Sequence, residues 1–368
     1  MPAFTGQLRS NEVFAALFNM IISQEVFADN IVDDDGSLVN YARVDGGLYG
    51  DTKLYYATDA LRSRAWLGDL EATNLLMVNR PAAPECQAIE LTVFRQIDIT
   101  VDYYLSKRAW QSEGAFSDFT TVILGWIRNT KRVYDATTYN AFIGTEETNV
   151  GEQTIDVDLS NITAPATTAD EESAARLRAQ HIAKSIADLF VELKRPTRKY
   201  NDYEFLRSHA LADLKIVWNS KYLNEITKLD LPTIFHKEGL MDKLSEDVLS
   251  YEYFGTRNTS SITISSSNVD TVRSLIEQDY IVGGNQYHAF AGEKFEIGAV
   301  LAAGTTYTID SDIICKIIDK RSVPFMSAFE VGTSFFNPRS LTENHYMTWG
   351  HNALEHLKGR PFITMKEI

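Results

Sequence analysis

Two cysteines, Cys86 and Cys315, are all that 368 residues contain. That excludes a disulfide framework and a cysteine-built zinc site, and it suits a reducing compartment. Positive charge is also scarce: 35 Lys and Arg stand against 50 Asp and Glu, a formal charge of −15. A surface that grips nucleic acid in general needs clustered Lys and Arg, so that role is set aside. No apolar run is long enough to span a bilayer. The most apolar stretch, residues 13–22, is too short and carries Asn19. A single Arg9 with Glu12 nearby makes a poor secretory leader, and no clean small-residue cleavage site follows. The same stretch instead predicts an amphipathic helix capped by Asn11, with Val13, Phe14, Leu17, Phe18 and Ile21 on one side.

The vocabulary of common active sites is missing too. There is no HExxH, GxSxG, Walker loop or paired-Cys motif. The glycines of "DGGLYGD" at 45–51 have the wrong spacing for a dinucleotide loop, and no helix is predicted after them. The stretch 283–294, "GGNQYHAFAGEK", lacks phosphate-loop spacing. Asp33, Asp34, Asp35 and Gly36 lack the alternating carboxylates and closing Glu of a calcium loop, so they predict a solvated turn. His345 and His351 share a strand face with Trp349 between them, but six residues along a strand is roughly 20 Å, too far for one ion. No catalytic residue, cofactor or metal site is predicted. An enzyme with a dispersed constellation of residues remains the reading that motif absence does not remove.

What the chain does have is one very long strand signal. From 89 to 103, Ile89, Leu91, Val93, Ile97, Ile99, Val101 and Tyr103 hold one parity, and Glu90, Thr92, Gln96, Asp98, Thr100 and Asp102 hold the other. Only Phe94 and Arg95 exchange character. Period two is the repeat of a half-buried strand, and fifteen residues reach roughly 50 Å against about 17–20 Å for an ordinary one. Such a strand is expected to outrun a compact domain and to be covered by another copy of the chain. Before it, residues 41–104 show little helical signal beyond 69–77, but carry Gly46, Gly47, Gly50 and Gly68 with Tyr49, Tyr55, Tyr56 and Trp66. This predicts a two-stranded excursion that returns along the long strand.

Two long helices follow. Ser117 is a candidate N-cap, and Phe119, Val122, Ile123, Trp126, Ile127, Val133, Tyr134, Ala141 and Phe142 recur at helical spacing up to a stop at Gly144. A second helix, about 169–194, turns Ile182, Ile186, Leu189, Phe190 and Leu193 inward and ends at Pro196. Residues 214–218 predict a short strand buried on both faces, followed by a polar turn and a helix at 222–226. A short helix is expected at 232–237. Residues 258–268 predict loop or edge strand, 282–319 a glycine-punctuated β region, and 325–336 and 345–351 long terminal strands.

Four passages carry a family likeness: "AIELTVFRQIDITVDYYL", "SDFTTVILGWIRNTKRVYDATTYNAFIG", "ALADLKIVWNSKYLNEI", and the terminal stretch from "IIDKRSVPF" to "MTWGHNAL". In this order they resemble the returning strand of the extended loop, the spine helix, the heart of the axial domain and the C-terminal strands of the major capsid protein of tailed bacteriophages, the Hong Kong 97-like fold. The resemblance implies an α+β fold with an N-terminal arm (1–40), an extended loop (41–97), and a peripheral domain (98–150 and 320–368) with its spine helix at 117–143. It also implies an axial domain (151–319) with an insertion at 240–310. The implied function is self-assembly, as hexamers and pentamers, into an icosahedral head shell that encloses double-stranded DNA without binding it specifically. The chain would then be a structural protein of the virion, not an enzyme, assembled in the host cytoplasm without a membrane. Scaffolding, portal and decoration proteins would be its partners, the scaffold being a separate protein or part of a processed precursor. Expected contacts between copies are Val13, Phe14, Leu17, Phe18, Tyr49, Tyr55, Tyr56 and Trp66. An encapsulin-like nanocompartment shell, or another virion component such as a decoration or tail protein, are the alternatives.

Overall fold

Side-chain period decides most of the elements. The computed structural model describes residues 37–46, 52–63, 65–66, 78, 80–102, 113–147, 153–160, 162, 168–227 and 245–368. Helix α1 (Ser37–Ala42) runs straight into β1 (Arg43–Asp45), and β2 (Thr52–Ala57) and β3 (Glu85–Asp102) follow. Next come α2 (Glu113–Gly144), β4 (Thr145–Glu146), β5 (Thr154–Val157), α3 (Thr168–Lys194), β6 (Leu214–Asn219) and α4 (Ser220–Thr227). A run of short strands comprises β7 (Ser245–Leu249), β8 (Gly255–Arg257), β9 (Ile262–Thr263), β10 (Val272–Ser274), β11 (Gln278–Val282), β12 (Asn285–Ala289), β13 (Val300–Leu301) and β14 (Thr306–Ile309). The chain then forms β15 (Ile313–Asp319), β16 (Phe325–Asn337), β17 (Thr342–Asn352) and β18 (Phe362–Glu367). The expected helices at 13–22 and 232–237, the acidic turn at 33–36, and the stretch 69–77 lie outside the described residues.

Two five-stranded sheets organise these elements. The first has the order β1-β16-β17-β3-β2 and the second β5-β18-β15-β6-β7. The second is the middle of three layers. On one face, Ile182, Ile186, Leu189, Phe190 and Leu193 of α3 pack against Leu214, Ile216 and Trp218 of β6, with Ile317 and Ile363. On the other, Tyr139, Phe142 and Ile143 of α2 join Leu38 and Val39 of α1 against Val217, Ile318 and Phe362. Each such fully buried side chain contributes about 1.5–3 kcal/mol. At 32 residues, α2 is roughly 48 Å long. Its middle therefore also reaches the first sheet, where Ile127 meets Val101, with Ile97, Ile99 and Met347 alongside.

Four expectations change. The helix begins at Glu113 rather than after Ser117, because Ser at an N-cap is a preference that a helix-permissive upstream sequence overrides. Trp126 is 49% exposed, since it shares the helix side of half-buried Thr130, Val133 and Thr137 rather than the buried side of Ile127, Lys131, Tyr134 and Thr138. Gly144 does close the helix, but not through a left-handed cap. A Cβ there would collide with the Tyr253 carbonyl. Finally, only residues 85–90 of the long strand form the return of the excursion, paired with β2. Its remainder, from Leu91 to Asp102, is laddered to β17, so most of its length is covered by its own chain. The parity itself holds: Ile89, Leu91 and Val101 are buried, and Glu90, Thr92, Gln96, Asp98 and Thr100 are exposed.

The short strands β8–β14 make a satellite with its own core of Ile264, Val272, Tyr280, Ala289, Phe295, Ala299 and Leu301. It joins the body through β4, which pairs with β8, and through Arg95, whose guanidinium donates to the Glu277 carbonyl.

Candidate assembly surface

The ribbon of β2 and β3 combines a strand-forming sequence with an unusual division of faces. Thr52–Ala57 reads TKLYYA, rich in residue types that suit a pleated surface. Its register against β3 places Lys53 opposite Ile89 and Tyr55 opposite Gln87 on one face, and Leu54 opposite Ala88 and Tyr56 opposite Cys86 on the other. The first face turns to the body: Ile89 and Gln87 are buried and Tyr55 is half-buried, its phenol pKa raised by burial. The second turns away, with Leu54, Tyr56, Ala88 and Cys86 all exposed. Tyr56 is 65% exposed, and beyond the ribbon Leu61 is 81% and Trp66 91% exposed. Scattered apolar side chains on a surface need no explanation, whereas a grouped set on one ribbon face makes that face the candidate contact surface. Among the described residues β2 also ends its sheet, leaving a strand edge unpaired.

The root of this ribbon is fastened at two points. After β2, Asp59 accepts a hydrogen bond from the Leu206 backbone N–H at 2.9 Å and one from Arg198 Nη1, also at 2.9 Å. The Leu206 N–H first, and then the Arg198 guanidinium, hold its carboxyl down at about 2. Beside it, Arg207 Nη2 donates to the Thr58 carbonyl at 2.8 Å. On β3, Gln87 Nε2 donates to the His356 carbonyl and Gln87 Oε1 accepts from Lys358 N–H, each at 3.0 Å. The two receiving loops are themselves joined: Asp202 N–H donates to the Lys358 carbonyl at 2.7 Å, and His356 Nε2 lies 2.9 Å from Asp202 Oδ2. Within this ring lies an open cleft of about 380 Å³ lined by Tyr55, Tyr203, Arg207, His209, Arg321 and Arg360, among others. Burial lowers the His209 pKa there.

Of the contact residues expected from sequence, Tyr56 lies on the ribbon's exposed face, Trp66 is exposed beyond the ribbon, and Tyr55 faces the body. Val13, Phe14, Leu17, Phe18 and Tyr49 fall outside the described residues. The fastening residues Asp59, Gln87, Arg198 and Arg207 gave no sequence signal, because their partners lie far away along the chain. Among the described residues, no three His, Cys, Asp or Glu side chains gather closely enough to hold a metal ion, and no helix is long and apolar enough to cross a membrane.

The fold has counterparts among solved phage structures. A chain of the capsid of Staphylococcus phage Andhra superposes with a TM-score of 0.59 at 11% identity, covering 94% of this chain and 87% of that one. A chain from the structure of the head fiber and inner core protein gp22 of native bacteriophage P68 gives 0.58 at 12%, covering 89% and 83%. These likenesses establish the Hong Kong 97-like capsid fold. A comparison with curated proteins finds no match. The family model of the Phi29-like phage major capsid protein, however, matches residues 5–354. A match over nearly the whole length, on a capsid fold, leaves one conclusion: the chain belongs to the Phi29-like phage major capsid protein family and is a major capsid protein of a tailed-phage head shell.

Proposed function

We propose that identical copies of this chain close into an icosahedral shell of hexamers and pentamers around double-stranded DNA, with the β2–β3 ribbon of each copy laid on a neighbour. The exposed face of Leu54 and Tyr56, with exposed Leu61 and Trp66 farther along the chain, carries this reading. Covering Tyr56 and Trp66 alone would bury on the order of 300 Å², a large part of the ~800 Å² that each partner contributes to a standard interface. Closed symmetry is what keeps such contacts from growing into open-ended fibres. The acidic balance of −15 suits a wall that encloses DNA without gripping it.

In this reading α2 with β16, β17 and the far end of β3 serves as the peripheral domain, 98–150 and 320–368, and β2 with the near part of β3 belongs to the extended loop, 41–97. Strands β5, β6, β7 and β15 with α3 serve as the axial domain, 151–319, with the satellite as its insertion, and β18 (Phe362–Glu367) reaches over from the C-terminal stretch to pair with β15 and β5. Residues 1–40 act as an arm whose Val13, Phe14, Leu17 and Phe18 latch a neighbouring copy. The protein works as a structural component and not an enzyme. It is assembled in the host cytoplasm with scaffolding, portal and decoration proteins as partners.

The test is negative-stain electron microscopy of the full chain beside a Tyr56→Ser/Trp66→Ser variant. Regular closed particles are expected from the first, and soluble, folded but unassembled protein from the second. Normal shells from the double variant would refute the ribbon's role.

A further inference from the structure

We propose that Asp59 is a positioning residue for assembly: through the two-point fastening of the ribbon root, it fixes the angle at which the ribbon leaves the subunit. This rests on the ribbon being the contact between copies. Four observations support it. The Asp59 carboxylate takes three donors, from Leu206 N–H, Arg198 Nη1 and Ala60 N–H, so both of its oxygens are committed. Arg198 is oriented in turn by the Glu204 carbonyl at 2.8 Å.

The loop that receives Asp59 is also built for one conformation. Tyr200 and Glu204 hold backbone φ angles of +59° and +52°, a region that costs L-residues energy and persists only where surrounding structure enforces it. The enforcement is visible. The side chain of fully buried Asn201 donates to the Lys199 and Phe205 carbonyls and accepts from Phe205 N–H. The fourth observation is the second fastening point, Gln87, which is tied to the same loop through Asp202 and His356. A strained, fully bonded receptor that meets the ribbon before any neighbour does is a device for preorganisation. An element already held in its binding orientation loses less freedom when it docks.

The test uses the unassembled full-length chain and then its shells. Hydrogen–deuterium exchange is followed at residues 52–57, where Asp59→Asn, which removes the charge and one acceptor, is expected to raise exchange about tenfold. Shell formation, followed by light scattering and electron microscopy, should slow by a similar factor while the thermal melt stays in place. Arg198→Gln should do the same from the other side of the ion pair and serves as the decisive variant if Asp59→Asn folds poorly. Unchanged exchange in both variants would overturn the proposal. Faster exchange with normal shells, while Trp66→Ser abolishes them, would overturn the positioning role and leave the ribbon contact standing. Normal shells from Trp66→Ser as well would remove the ribbon contact, and the positioning role with it.

Discussion

Replacing Lys316 with methionine should make this protein more stable near neutral pH, although it deletes two hydrogen bonds from the core. Lys316 sits in the middle of β15, opposite Val217 on β6 and Thr364 on β18, with no exposed surface. Its Nζ donates to the Thr145 carbonyl at 2.9 Å and to Thr364 Oγ1 at 2.7 Å, and lies 4.0 Å from the centre of the Phe362 ring. Burial outweighs the attraction of the Glu146 and Glu147 charges and pulls its pKa from 10.5 to about 7. At ~1.4 kcal/mol per pH unit, that difference is roughly 5 kcal/mol of destabilisation whenever the unfolded chain is protonated and the folded one must be too. Methionine has a similar unbranched length and removes that cost, but it leaves the Thr145 carbonyl without its donor, a loss of about 1–3 kcal/mol.

The net expectation is a gain of about 2 kcal/mol at pH 6–7. Between about 7 and 10.5 the unfolded state holds the proton that the folded state has released, so the natural protein gains stability as pH rises through that window. The advantage of Lys316→Met must therefore shrink with pH, and reverse around pH 9–10. Urea unfolding of the unassembled chain at pH 6, 7.5 and 9.5, compared between the two proteins, checks this. A variant that is less stable at pH 6, with a difference that does not change with pH, would refute the argument that desolvation dominates at this lysine.

Two further perturbations test other buried charges. Asp135, which is 1% exposed at its side chain, binds Arg43 at 3.0 Å and Lys131 at 3.2 Å; Asp135→Asn should cost about 3 kcal/mol in a denaturant titration, and a loss below ~1 kcal/mol would mean that Glu330, the other partner of Lys131, carries the pair alone. Beneath α2, Arg95 Nε–H donates to Tyr134 Oη at 3.3 Å, the Tyr134 hydroxyl donates to His351 Nε2 at 2.6 Å, and His351 Nδ1–H donates to the Asn352 carbonyl at 2.8 Å. That chain needs a neutral imidazole, and burial lowers the His351 pKa below its usual 6.5. Stability should accordingly fall as pH drops below 6.5, because the unfolded histidine takes up a proton that the folded one refuses. Thermal melts at pH 7.5 and 5 should show a larger acid loss in the natural protein than in His351→Gln, and equal losses would exclude this histidine as the cause.

How much was legible beforehand depended on whether a residue's partner lay nearby in sequence. The inward stripe of α3, from Ile182 to Leu193, and the two-sided burial of β6 are periodic signals complete within one element, and both appear as expected. The parity of β3 was equally plain, but its covering was not. Its expected partner was a second copy, whereas β17 supplies eleven residues of matching ladder from some 250 positions downstream. A period says which face of a strand is buried; it does not say what buries it. Helix α1 and strand β1 carry no readable period because they are only six and three residues long, below the window over which a period can be counted.

The ribbon's aromatics are legible in the sequence and its fastening is not. Tyr56 and Trp66 announce themselves by type, since large amphipathic rings in a glycine-rich stretch are costly to leave without purpose. Asp59, by contrast, is one of 50 acidic residues, and nothing in its neighbourhood distinguishes it. Its character comes from Arg198 and Leu206, 139 and 147 positions away, and from a loop bent into a conformation that its own sequence would not choose. An exposed apolar surface can thus be read from composition, because it is apolar where it should be polar. The residues that fasten the ribbon's root satisfy one another inside the same subunit, so they leave no such deficit in the sequence.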